Sequence, residues 1–164
     1  MIGFILTYCS FVSGQNTVKI ELGKDVSSKT CQLIKLFKYN PKNFCDQSKG
    51  VSIVFDNKIS PCFDHIKTFD TRQSKKIVGL LRSVRTYGSY DAPCFDTDYA
   101  LMIYNKSNKI VGHIEISFSC NKLISEPNIK EREHFNHDGL RNVGFSKSGR
   151  KTLIKLLMLD AKSV

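Results

Sequence analysis

The sequence predicts an α+β fold, a largely antiparallel sheet with two or three helices packed on one face, and three patterns carry that prediction. Tyr99 to Tyr104 and Lys109 to Cys120 are apolar-rich segments flanking the turn Asn105-Lys106-Ser107-Asn108, the arrangement of a β-hairpin. Thr71 to Val84 places Ile77, Leu80, Leu81 and Val84 on one helical stripe, as a helix packed on a core requires. Lys147 to Leu159 repeats that pattern with Leu153, Ile154, Leu157 and Met158. Helices layered on an antiparallel sheet accommodate this mixed order more economically than a parallel sheet does.

Taken in chain order, the first element is the uncharged run Gly3 to Val12, followed by Ser13-Gly14. It reads as the apolar core and small-residue end of an export signal that lacks a basic front. Residues 1–14 are therefore expected to be a truncated signal peptide and residues 15–164 a single exported domain. The competing reading is a buried first strand from Phe4 to Val12. The run is too short to cross a bilayer as a helix, so no transmembrane span is expected in the mature chain.

Thr17 to Leu22 alternates as a strand with Val18, Ile20 and Leu22 inward. Cys31 to Phe37 has Leu33, Ile34 and Phe37 at helical offsets and predicts a short helix, ended by Asn40-Pro41 because the residue before proline is pushed out of the helical region. Gly50 to Phe55 predicts a strand that Asp56-Asn57 turns back through Lys58 and Ile59. Asp70 suits the N-cap of the helix that follows, since its carboxylate can accept from free first-turn amides. On the second hairpin strand, Ile114, Ile116 and Phe118 share a core face. His113, Glu115 and Ser117 share the other, which faces solvent or a cleft. Asn121 to Asn142 is polar and predicts a long excursion with one short helical turn.

Of 164 residues, 25 are Lys or Arg and 15 are Asp or Glu, a formal charge of +10. A chain of this length buries about two thirds of its unfolded surface, so one core suffices. The charge favours acidic surfaces: another protein, a polyanionic envelope polymer or nucleic acid. Specific nucleic-acid recognition is not expected, because the basic helices lack interleaved aromatic side chains and no Trp is present.

Removing Cys9 with the leader leaves Cys31, Cys45, Cys62, Cys94 and Cys120. Export makes these bridging candidates, and an odd number leaves one free or paired between chains. Cys94 and Cys120 flank the hairpin from outside, so antiparallel pairing brings them together. A second bridge is expected among Cys31, Cys45 and Cys62. No Cys-x-x-Cys and no close zinc-ligand pairs occur.

His134 and His137, three residues apart, and His113 with Glu115 are the candidate metal or catalytic residues. One helical turn would aim the first two at one ion, although surface roles are the ordinary explanation for both. Asp91, Asp96 and Asp98 could form part of an acidic site near the sheet end, with turn capping or a surface role as the ordinary explanation. Lys147, Arg150, Lys151 and Lys155 are the candidate ligand or anion-binding residues. Gly144-Phe145-Ser146-Lys147-Ser148-Gly149 lacks Walker spacing, and its first reading is a helix cap.

Pro93-Cys94-Phe95, Ile114 to Cys120, and Gly144 to Gly149 before the final helix together resemble small exported proteins of the Flavobacterium and Bacteroides type, across roughly the C-terminal half. That family is functionally uncharacterised. The resemblance implies a periplasmic or secreted location and single-domain architecture, and carries no activity. The expected function is that of an exported protein acting through a basic surface on another protein or an acidic envelope component, without a cofactor. The alternative is a small extracytoplasmic hydrolase or metal-dependent enzyme, with a divalent metal in the His113, His134 and His137 region. A binding module predicts separate, exposed His134 and His137 and a continuous patch at Lys151 and Lys155. An enzyme predicts at least two histidines converging in a concave site.

Overall fold

Every residue of the strand Tyr99–Tyr104 is buried, which requires packing on both of its faces. In the computed structural model, which describes residues 27, 29–43, 52–55, 58–89, 93–132, 134–135, 141–142 and 144–160, both layers are present. In chain order the strands of the main sheet are β1 (Leu33–Tyr39), β4 (Phe63–Phe69), β6 (Tyr99–Tyr104), β7 (Ile110–Ser117) and β8 (Lys122–Glu126). They lie in the order β4-β1-β6-β7-β8, with every neighbour antiparallel. Between them come β2 (Val54–Phe55) and β3 (Lys58–Ile59), which form a small hairpin, the helix α1 (Thr71–Leu81), and β5 (Tyr87–Ser89). After β8 come β9 (His134–Phe135), β10 (Arg141–Asn142), β11 (Gly144–Phe145) and the helix α2 (Lys147–Leu157); β9 pairs with β10 and β11 with β5.

The two helices cover one face of the sheet. Ile77, Val78 and Leu81 of α1 and Leu153 and Leu157 of α2 pack with Ile34, Leu36, Leu101, Ile103, Ile114 and Ile116 in one core. Phe37, Ala100, Met102, Tyr104 and Ile110 face the other way and are covered by Ile53, Cys62 and Phe63. The α+β architecture, the antiparallel sheet and the helices on one face are as the sequence predicts.

Asp70 caps α1 through a reciprocal box: its carboxylate accepts from the Gln73 amide at 2.7 Å, and the Gln73 side chain accepts from the Asp70 amide at 3.4 Å. This satisfies two otherwise orphaned donors. The helix stops earlier than its apolar stripe suggests. Val84 belongs to a following 3-10 turn and is 53 % exposed. Ser146 caps α2, its hydroxyl accepting from the Gly149 amide at 3.0 Å. Gly149 is required there, because a Cβ would stand 2.2 Å from the Thr86 carbonyl oxygen, far inside van der Waals contact. That same carbonyl accepts from the Ser146 amide at 2.9 Å, so the start of α2 is seated against the end of the α1 segment. The other end of α2 reaches β4, where Lys67 Nζ lies 2.7 Å from Met158 Sδ. The contacts at both ends give the two helices opposite directions.

Three expectations are corrected. Cys31 to Phe37 is not a helix; Leu33–Tyr39 is the interior strand β1, hydrogen-bonded on both edges. A strand between two others is buried on both faces and loses the alternation that marks half-buried strands. The polar stretch after Cys120 is not wholly excursion, since Lys122–Glu126 forms the edge strand β8 with Leu123 in the core. The polar face of β7 is not open to solvent: His113, Glu115 and Ser117 are buried, and Ser52 and the Ile53 amide bond to Glu115 on that side. The leader, the strand expected at Thr17 to Leu22, Cys45, Asp91 and His137 lie outside the described residues.

Cys94 and Cys120 are disulfide-bonded, with Cα atoms 5.7 Å apart and a sequence separation of 26. The bridge closes the loop that contains β6 and β7. Cys62 is also disulfide-bonded. Cys31 is not: it is a free thiol, 2 % exposed. Its position just before β1 seats it in the helix-side core, where burial raises its pKa to about 11 against a smaller opposing effect of Lys75.

Candidate functional site

Neither helix carries a single Asp or Glu, whereas together they carry Arg72, Lys75, Lys76, Lys147, Arg150, Lys151 and Lys155. The amphipathic period decides where these point. On α1 the buried positions are 74, 77, 78 and 81, so Arg72, Lys75 and Lys76 are exposed on the opposite side. On α2 the buried positions are 149, 153 and 157, so Lys147, Lys151 and Lys155 form an exposed stripe at four-residue steps. Four residues of helix rise about 6 Å, and neighbouring helix axes lie about 8–10 Å apart. Six cations therefore share one layer face, and among the described residues none of them forms an ion pair.

Arg150 is the exception among the expected anion-binding residues. Its guanidinium donates to the Phe118 carbonyl at 2.6 Å and lies 5.5 Å from the centre of the Phe118 ring. It brackets α2 to the end of β7 and is committed to the fold. The sequence reading missed the contribution of Arg72, Lys75 and Lys76, although the signal was present in the acid-free composition of both helices. Arg82, at the end of α1, is turned to Glu131, with its Nε and Nη2 3.0 and 2.9 Å from one carboxylate oxygen, and so adds nothing to the face.

On the opposite side of the sheet lies a buried polar centre. Glu115, 5 % exposed, accepts from Ser52 Oγ at 2.6 Å and the Ile53 amide at 3.1 Å on one oxygen, and from Thr97 Oγ1 at 3.1 Å on the other. These bonds compensate the desolvation of a buried carboxylate and pin the segment before β2 against β7. His113, two residues away on the same strand face, is 6 % exposed, with Nε2 3.9 Å from Glu115. Among the described residues its Nδ1 has no hydrogen-bond partner. Burial depresses the His113 pKa below its usual value, while Glu115 and Glu126 oppose that shift. The imidazole is thus neutral at pH 7.

Of the described histidines named as candidates, His113 and His134 stand on different sheets. His134 stands on β9, its backbone opposite Asn142 on β10, and His113 is inside the main sheet. Among the described residues no three His, Cys, Asp or Glu side chains are placed to hold a metal ion. Asp98 accepts from the Phe118 amide at 2.7 Å, tying it to the end of β7, while Asp96 is exposed. No protein-family model, curated protein or solved structure matches the chain.

Proposed function

We propose that this protein is an exported binding protein that engages an acidic surface through the outer face of its two helices. One observation carries the reading: 22 helical residues hold seven basic side chains and no acidic one, with six of the seven exposed and free of ion pairs among the described residues. A random scatter of surplus charge would mix signs on a solvated helix, where i,i+4 pairs of opposite charge stabilise. Maintaining one sign instead makes a field that attracts anions. Export is supported by the disulfide at Cys94–Cys120 and the second one at Cys62, since such bonds persist in oxidising compartments. The hydrolase alternative draws no support from His113, which is buried on an interior strand of the sheet.

Retention on an immobilised polyanion such as heparin tests the reading. The variant K147E/K151E/K155E changes only exposed positions and is expected to elute at a much lower salt concentration than the parent chain. K106E, in the exposed turn between β6 and β7, is expected to elute close to it. Equal retention of parent and triple variant would remove the helical layer as the binding face.

A further inference from the structure

We infer that the acidic surface is an anionic lipid bilayer, on which the helical layer lies flat; this rests on the helical layer being the binding face. Five of the six exposed cations are lysines. An ammonium is a compact, strongly hydrated point charge without the planar fork that recognises single phosphates or carboxylates bidentately, so this face suits a diffuse field of headgroups. Neither helix has an aromatic or His side chain, which leaves nothing on this face for nucleic-acid bases to stack upon. Specific protein interfaces centre on buried aromatic or Arg anchors, and these outward positions provide none at their middle. No helix among the described residues is long and apolar enough to cross a membrane, so the contact is adsorption at the headgroup level, as amphipathic basic surfaces make.

The face spans about 12 Å along α2 from Lys147 to Lys155 and takes in the adjacent helix. Successive charges along α2 are about 6 Å apart, inside one Debye length at physiological salt, so neighbouring cations act together on the surface potential. Each basic side chain near an anionic membrane contributes roughly a fivefold gain in partition. Reversing three of them is thus expected to lower partition by at least about 100-fold.

The test is sedimentation of the folded protein with vesicles of phosphatidylcholine alone or mixed with phosphatidylglycerol, beside a titration with soluble polyphosphate followed by amide chemical shifts. The expected result is binding to the anionic vesicles only, weakened by 0.5 M salt (a condition of about 4 Å Debye length), lost in K147E/K151E/K155E and retained in K106E. Polyphosphate shifting the amides of α1 and α2 without any partition onto anionic vesicles would overturn the bilayer assignment and leave the helical face standing. Partition of the triple variant equal to the parent, with polyphosphate shifts elsewhere, would overturn both. Matching circular-dichroism spectra and melting curves of parent and variants show that folding is not the cause.

Discussion

Replacing Glu115 by alanine is expected to cost at least about 3 kcal/mol of folding stability. The carboxylate is the shared acceptor for Ser52, the Ile53 amide and Thr97, and hydrogen bonds to a charged group contribute about 1.5 to 3 kcal/mol each. Truncation also leaves the buried Ile53 amide without its partner. Ser52 and Thr97 have rotatable hydroxyls, so part of their loss is recoverable, and the expected total is smaller than the sum of three bonds. Glu115→Gln retains one carbonyl oxygen for Ser52 and Ile53 and is expected to cost about 1 kcal/mol. Urea denaturation gives both values. Hydrogen exchange at the Ile53 amide separates a local loosening of the covering segment from a general loss, since its protection should fall first in Glu115→Ala. A Glu115→Ala protein within about 0.5 kcal/mol of the parent would show that the buried carboxylate does not anchor this segment.

Removal of the Cys94–Cys120 bridge is the second large effect. A cross-link closing a loop of 26 residues restricts the unfolded chain by about 3 to 4 kcal/mol in the loop-entropy description. Here the loop contains β6 and β7, and Cys120 is itself in the interior at 1 % exposure, so Cys94→Ala with Cys120→Ala also sacrifices some packing at the end of β7. The double variant is expected to unfold at a markedly lower urea concentration, and the parent should move toward it under strong reducing agent. A change confined to less than about 1 kcal/mol would mean that the unfolded chain gains little freedom when the loop opens.

The hairpin of β6 and β7 and both helices were legible because each has a local pattern unspoiled by distant chain. Asp70 and Ser146 marked the helix starts, and the turn at Asn105 to Asn108 fixed the hairpin. The strand β1 was hidden by its place in the sheet: Leu33, Ile34 and Phe37 fit a helical stripe by spacing, yet Leu36 and Phe37 are buried on opposite faces across a register shift. The strands β4 and β8 are the sheet edges, where exposed polar residues such as Asp64, His65 and Glu126 break up the apolar signal, as edge strands commonly do. Glu115 and His113 read as a polar face of β7 because nothing in β7 itself tells that Ser52 and Ile53 lie against Glu115. The basic face was half legible. The lysine stripe on α2 stood out, but its union with Arg72, Lys75 and Lys76 needed the pairing of two helices some 65 residues apart in sequence.

Amide chemical-shift mapping of the folded, isotope-labelled protein during addition of a soluble polyanion tests the central claim most directly. The account predicts shifts concentrated on α1 and α2, at residues 72–76 and 147–155, fading as salt is raised, with the amides of β2, β3 and β8 unmoved. Shifts centred on the Glu115 side of the sheet, or no salt-dependent shifts on either helix, would contradict it.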